Sequence, residues 1–370
     1  MGDVIARQSA GSVVAGRYRI DGQLGTGGMG VVYRALDLAR GEVVAIKVMD
    51  PRKDQHPTTL NQRFAREIAA VQQLRSPHAV RLRDAGTLGN GSHFMVMDHL
   101  EGADLQRILE RTACLPIDRA VRLIRQACAA LAESHALGIV HRDLKPANLF
   151  VTQRSDGSDC LKVLDFGISK LPQSTMDQLA LTVSGAVLGS PVYMAPEQMI
   201  CSSDVDARAD VWALGVVLYQ ALSGGFPYEA EAMPQLCARV LSENPRRLSE
   251  LAPVPAGLEA AVMRCLERNP DDRFASVEEL AAALEPFSHP GPQPTVVLRR
   301  PLASPMPMLA PQPLTVPRVA PVAVLAQTPT PARFVEPEPE EIDTRRRARF
   351  IYLAGAAIGL AAGVIYLLAG

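Results

Sequence analysis

Three residues on one short stretch could do chemistry together. In Val140-His-Arg-Asp-Leu-Lys-Pro-Ala-Asn-Leu149 an acid (Asp143), a cation (Lys145) and an amide (Asn148) share one tight loop. Pro146 and the apolar flanks Val140, Leu149 and Phe150 pin such a loop to a core at both ends. Phosphoryl transfer needs these parts: an acid to receive a hydroxyl proton, a cation beside the moving phosphate, and an amide oxygen on a metal ion.

Two further features belong to the same chemistry. Leu24-Gly-Thr-Gly-Gly-Met-Gly30 ends one strand and opens a second, Val31 to Leu36, and a third strand runs Val43-Val-Ala-Ile-Lys-Val48. A lone G-x-G-x-x-G is a weak signal, because hairpins also use glycine for positive φ. Here it opens a strand rather than a helix, which argues against a dinucleotide fingerprint. Gly25, Gly27 and Gly30 would let backbone N–H groups approach phosphate oxygens, with Val32 covering an adenine. Lys47 sits in an otherwise apolar strand. It reads either as an edge lysine reaching water or as a cation on the α/β-phosphates, and the second role needs a carboxylate partner. The helical spacing of Phe64, Ile68, Val71 and Leu74 predicts a helix over 60–75, and Glu67 on its stripe is the expected partner.

The elements that must position these groups follow in order. Two more strands, about 79–87 and 93–97, flank Gly89-Asn-Gly91 and complete a five-stranded antiparallel small lobe. The pattern then turns helical. Asp118 is placed to cap a helix running to His135 with the stripe Val121, Ile124, Cys128 and Leu131, closed by Gly138. A hairpin, 149–151 with 161–164, surrounds the polar turn 155–159. The apolar run Asp210 to Tyr219 predicts a helix buried all round. Ser276-Val-Glu-Glu279 reads as a capping box for a final helix, and the domain ends near Phe287.

Taken in order, this set resembles the eukaryotic-type protein kinases of bacteria, the Hanks type. The carriers are the loop at 140–149, Asp165-Phe-Gly167 lying 22 residues after Asp143, Ala195-Pro-Glu197, and Arg273 in Asn-Pro-Asp-Asp-Arg-Phe. The resemblance implies a bilobal α+β fold: a small antiparallel β lobe with one helix, and a larger, mainly α lobe. Asp143, Lys145, Lys47 and Glu67 would be catalytic, and Asn148 and Asp165 would bind Mg²⁺, with Mn²⁺ as an alternative. ATP would lie on Leu24, Gly25, Thr26, Gly27, Gly28, Met29, Gly30, Val32, Ala45 and Lys47. Met97-Asp98-His99-Leu100 resembles the hinge, so the backbones of Asp98 and Leu100 would meet the adenine edge behind Met97. Asp104 falls where many kinases place an acid near the ribose. Lys145 and Ser190 resemble Ser/Thr rather than Tyr kinases. The Asp matching Asp210 holds the catalytic loop in kinases, and the match to Arg273 pairs with Glu197. Thr182 and Ser184 stand where bacterial relatives carry regulatory phosphosites, and Arg142 is a cation suited to a phosphorylated segment.

Composition narrows the rest. A net charge of −1 offers no argument for nucleic-acid binding. The six cysteines are scattered without metal or disulfide spacing. No apolar signal-type run opens the chain, and Ala6 stands where a myristoylation pattern needs Ser or Thr. Residues 1–17 read as a flexible tail and 18–287 as the kinase domain. Residues 288–344 form a proline-rich linker, with 14 prolines between His289 and Glu340. The basic flank 345–349 follows, then an uncharged stretch, 350–370, of 21 residues. At about 1.5 Å per residue it is long enough to span a bilayer. The arginines before it would leave the kinase on the cytoplasmic face beside membrane lipid, and no extracellular sensor domain is expected. Gly355, Gly359 and Gly363 form a G-x-x-x-G repeat that can pair two helices into a homodimer.

The sequence therefore favours a membrane-tethered kinase that phosphorylates Ser/Thr hydroxyls of protein substrates, itself included. A membrane-anchored pseudokinase adaptor is the competing reading, and a small-molecule phosphotransferase a third. The intact acid, lysine and metal positions argue against the adaptor. Ala195-Pro-Glu197 and Ser190 suit a protein substrate.

Overall fold

The computed structural model describes residues 9–27, 30–49, 67–166, 191–200 and 205–289. Gly28, Met29, Phe64, Gly167, Thr182, Ser184, Ser190 and everything from 290 onward, including the linker and the apolar span, lie outside the described residues. Among the described residues no helix is long and apolar enough to cross a membrane.

The small lobe is one antiparallel sheet. Its strands are β1 (Val13–Val14), β2 (Tyr18–Gly27), β3 (Gly30–Asp37), β4 (Glu42–Met49), β5 (Leu82–Thr87) and β6 (His93–Asp98), ordered β1-β2-β3-β4-β6-β5. Period-two burial explains them: Val31, Tyr33 and Ala35 of β3, Val44, Ile46 and Val48 of β4, and Phe94 and Val96 of β6 share one core. The opposite face of β4 therefore carries Ala45, Lys47 and Met49, with Lys47 in register with Val32 and Met95. The sheet has six strands where five were expected. Val13–Val14 pairs with Arg19 and Tyr18 inside what the sequence suggests is a tail. Two residues are too few to show a period, so the strand is revealed by its pairing with β2 and the burial of Val14.

The larger lobe is mainly helical, with a small sheet of order β7-β8-β9 formed by β7 (Ala103–Asp104), β8 (Leu149–Gln153) and β9 (Asp159–Val163). Its helices are α1 (Leu105–Thr112), α2 (Ile117–Ala136), α3 (Pro196–Ile200), α4 (Arg208–Ser223), α5 (Met233–Ser242), α6 (Ala256–Cys265) and α7 (Val277–Leu284). In α4, 13 of 16 residues are buried, as an apolar run without an outer face requires. It crosses α6 so closely that a Cβ on Gly215 would lie 2.4 Å from Cys265 Cβ.

Two helix starts differ in detail from the sequence reading. The N-cap of α2 is Pro116 rather than Asp118; Asp118 sits in the first turn, where its charge suits the helix dipole, and pairs with Arg122 at 2.6 Å. At α7, Ser276 accepts the Glu279 N–H at 3.3 Å as a capping box should, but Glu279 reaches back to Ala275 N (3.1 Å). The stripe of α2 (Val121, Ile124, Cys128, Leu131) is buried as expected, and the five described cysteines are free thiols.

The segment after the helical residues 67–71 belongs mechanically to the larger lobe. Glu133 of α2 accepts the N–H groups of Arg75 and Ser76, each at 2.7 Å. Ala79 forms a parallel bridge with Val163 of β9. Val163 N donates to His78 O (2.7 Å), Val80 N donates to Val163 O (3.0 Å), and His78 Nδ1 donates to Leu161 O (3.0 Å).

Candidate active site

The loop bearing Asp143 hangs from one buried carboxylate. Asp210, fully buried at the start of α4, accepts the backbone N–H of His141 (2.8 Å) and of Arg142 (2.9 Å). His135 Nε2, from the end of α2, approaches the same carboxylate at 2.8 Å. Three donors thus satisfy an acid that would be costly to bury alone. They also hold Arg142 at φ +61°, a left-handed conformation that L residues rarely adopt. Arg142, the expected phosphate-sensing cation, donates one guanidinium nitrogen to Val205 O at 3.1 Å.

The loop brings its chemical groups together. Lys145 Nζ lies 3.0 Å from Asp143 Oδ2. Asn148 Nδ2 donates to Asp143 O at 2.8 Å and stands 3.4 Å from Asp143 Oδ2. Asp143 N donates to His141 Nδ1 (3.3 Å), so the neutral ring carries its proton on Nε2, which donates to Leu164 O at 2.8 Å. Leu164 N in turn donates to Asn148 O at 2.9 Å. Leu164 is gripped at both polar atoms, and the residue after it, Asp165, takes φ +54°. The ring of His141 also packs 5.7 Å from that of Phe166. Through these contacts the Asp143 loop is hydrogen-bonded to Leu164, the residue that precedes Asp165.

Lys47 reaches Asp165 from the small lobe. Its Nζ lies 2.7 Å from Asp165 Oδ2. The ion pair that Lys47 makes here is with Asp165, a partner the sequence did not suggest. Glu67 lies in the helical stretch 67–71, with Ile68, Val71 and Leu74 buried as the spacing required.

The expected nucleotide-binding residues line the strands around Lys47. Gly25 pairs with Val32, Thr26 with Val31 and Gly27 with Gly30, so the glycine loop is the tip of the β2–β3 hairpin. Gly30 has a physical reason to be glycine, since a Cβ there would lie 2.1 Å from Val48 O. Leu24 is exposed on β2 and Ala45 is buried beside Lys47 on β4. In the stretch expected as the hinge, Asp98 N donates to Arg81 O (3.1 Å) while its carboxylate holds Arg83 Nε (2.5 Å). Leu100 follows, half-buried, between β6 and β7. Asp104 caps α1, accepting Arg107 N at 2.9 Å.

Below the loop, Glu197 and Arg273 form a two-armed ion pair at 2.7 and 2.8 Å, as the motif reading expected. Arg273 also stacks 5.1 Å over Trp212. Sequence reasoning did not find three residues that serve this site: Glu133, His135 and Gln198. Glu133 and His135 were legible only as polar residues of a predicted helix. Gln198 directly follows Ala195-Pro-Glu197, and nothing in its type announced that it donates to Arg142 O at 3.0 Å.

The donor set suits a hard divalent cation. Asp165 offers a carboxylate and Asn148 an amide oxygen, its nitrogen being spent on Asp143 O. Among the described residues no three His, Cys, Asp or Glu side chains cluster around a metal position. None is needed for Mg²⁺, which keeps waters and takes nucleotide phosphates as its remaining ligands.

Comparison with known proteins places the chain. Residues 18–284 match the protein kinase domain. The chain is 39% identical over 279 residues to the serine/threonine-protein kinase pkn3 of Myxococcus xanthus, covering 74% of this chain and 50% of that protein. It is 36% identical over 327 residues to PknH of Mycobacterium bovis, covering 87% and 53%. The crystal structure of the Mycobacterium tuberculosis PknI kinase domain superposes with a TM-score of 0.58 at 28% identity, over 76% of this chain and 99% of that one. This chain belongs to the protein kinase family, and its domain is of the bacterial Hanks-type Ser/Thr class, which uses ATP and a divalent metal. It spans about half the length of the curated relatives.

Proposed function

We propose that the chain is an active kinase transferring the γ-phosphoryl of ATP to Ser/Thr hydroxyls of proteins, including its own activation segment. The observation that carries this reading is the hydrogen-bonded unit of Asp143, Lys145 and Asn148, tied through Leu164 to the neighbouring Asp165, whose carboxylate holds Lys47. Asp143 takes the proton of the incoming hydroxyl as its oxygen bonds to the γ-phosphorus and the bond to the leaving ADP oxygen breaks. Lys145 faces the transferring group, and Lys47 anchors the α/β-phosphates. Glycine-loop N–H groups around Gly25 to Gly30 cradle the phosphate oxygens, while the backbones of Asp98 and Leu100 take the adenine edge. Mg²⁺ held by Asp165 and Asn148 would neutralise charge on the phosphate oxygens. Thr182 and Ser184 are the proposed autophosphorylation sites.

The experiment compares purified wild type with Asp143→Asn in Mg²⁺-ATP, following autophosphorylation by mass spectrometry. Loss of phosphate incorporation by orders of magnitude, with the fold intact, is expected. Equal incorporation would favour an adaptor that does not use this loop. The membrane tether is proposed on the 21 uncharged residues at 350–370 and the preceding arginines.

A further inference from the structure

We infer that Gln198 is a positioning residue for Asp143, coupling the seating of the stretch around α3 to the orientation of the base. This rests on the reading of Asp143 as base.

The peptide unit joining Arg142 to Asp143 is planar, so fixing its two polar atoms fixes the direction in which Asp143 leaves the chain. Its N–H, on Asp143, donates to His141 Nδ1 (3.3 Å), and its carbonyl, on Arg142, accepts Gln198 Nε2 (3.0 Å). The preceding N–H, on Arg142, is held by Asp210 Oδ1. Arg142 is kept at φ +61° by these contacts, and a non-glycine residue released from them relaxes toward negative φ. That relaxation rotates the carbonyl and carries Asp143 with it. His141 belongs to the loop itself and Asp210 to the buried helix α4. Gln198 alone among these three partners comes from the segment whose next residue back, Glu197, is locked onto Arg273.

The amide is chemically required. Gln198 Oε1 accepts Ala195 N at 3.0 Å while Nε2 donates to Arg142 O. One side chain must therefore accept and donate at once, which an ionised carboxylate cannot do. A carboxyl group can do both once it is protonated.

The test uses the full-length protein with Gln198→Met, which keeps the length without the hydrogen bonds, and Gln198→Glu, with Asp143→Asn in parallel. Autophosphorylation is timed across ATP concentrations, and melting temperatures are recorded. Gln198→Met should lower the rate at saturating ATP by about 10- to 100-fold, as a displaced base does, with the KM for ATP near wild type and the protein still folded at the assay temperature. Gln198→Glu should be as impaired near neutrality but regain rate relative to wild type as pH falls toward about 5, where its carboxyl protonates. A wild-type rate for Gln198→Met, a loss that lies in the KM or in unfolding at the assay temperature, or a Gln198→Glu ratio that does not rise with acid overturns the inference. Should the Met variant not fold, the pH ratio of the Glu variant decides. An active Asp143→Asn defeats the base reading itself, whereas an inactive one beside a normal Gln198→Met defeats only the role of Gln198.

Discussion

Lys47 Nζ and Asp165 Oδ2 stand 2.7 Å apart, so the cation expected on the phosphates directly grips the carboxylate expected on the metal. The pair joins β4 of the small lobe to the residue following the clamped Leu164. Lys47 is 7% exposed, enclosed by Ala45 and Met49 on its own face.

Lys47→Met keeps the apolar stem and removes the charge. Autophosphorylation in Mg²⁺-ATP should fall by about 100-fold or more, the order seen when one charge-stabilising group is lost from a site. Circular dichroism and melting should stay close to wild type. Retained activity in a folded Lys47→Met protein would rule out the phosphate-anchor role.

Arg273 is buried and shared among Glu197 and the carbonyls of Arg208, Glu267 and Arg268. Arg273→Met leaves the Glu197 carboxylate without its two-armed partner and withdraws the guanidinium from all three carbonyls, and should cost about 3–5 kcal/mol in urea unfolding. Glu197→Gln should cost less, because the guanidinium keeps its carbonyl partners. Adding Glu197→Gln to Arg273→Met should add little, since the pair is already broken. Additive losses would show that the two side chains act independently.

His78 donates to Leu161 O, and burial, the largest influence on it, lowers its pKa below the ordinary 6.5. Below that value the unfolded chain binds a proton that the folded chain resists. The unfolded state then holds more protons, so stability rises with pH and is lost as pH falls through the window under 6.5. His78→Asn, which keeps a donor near Nδ1, should flatten the fall of melting temperature on acidification. An unchanged acid slope would remove His78 from the balance.

Membrane attachment is tested by washing. Arginines near the surface contribute about 1 kcal/mol each and are screened by salt, whereas burial of an apolar span is not. Full-length protein should stay with membranes through high salt and carbonate, and a chain ending at Asp343 should be released. Release of the full-length protein would overturn the tether.

Much of this was legible in the sequence because the signals were local. Glycine spacing marked the β2–β3 tip, the unbroken apolar run of α4 announced its burial, and Asp143, Lys145 and Asn148 lie close enough in sequence to be read together. What escaped was set by contacts across the fold. Val13–Val14 is a strand only because β2 offers it an edge. The Lys47–Asp165 pair joins two segments far apart in the sequence, and the pattern of neither segment shows it. Glu133 and Gln198 act by gripping backbone atoms 57 and 56 residues away, and such a bond leaves no trace in the pattern of either segment.

The chain passes between the small sheet and the helical lobe at residues 75–80 and again at 98–104. Each passage is anchored: the first by Glu133 and the Val163 bridge, the second by Gly102, where a Cβ would lie 2.1 Å from Val151 O. Two fixed points define an axis. A swing of the sheet about the line through these points, like a door on two hinges, would leave both anchors in place.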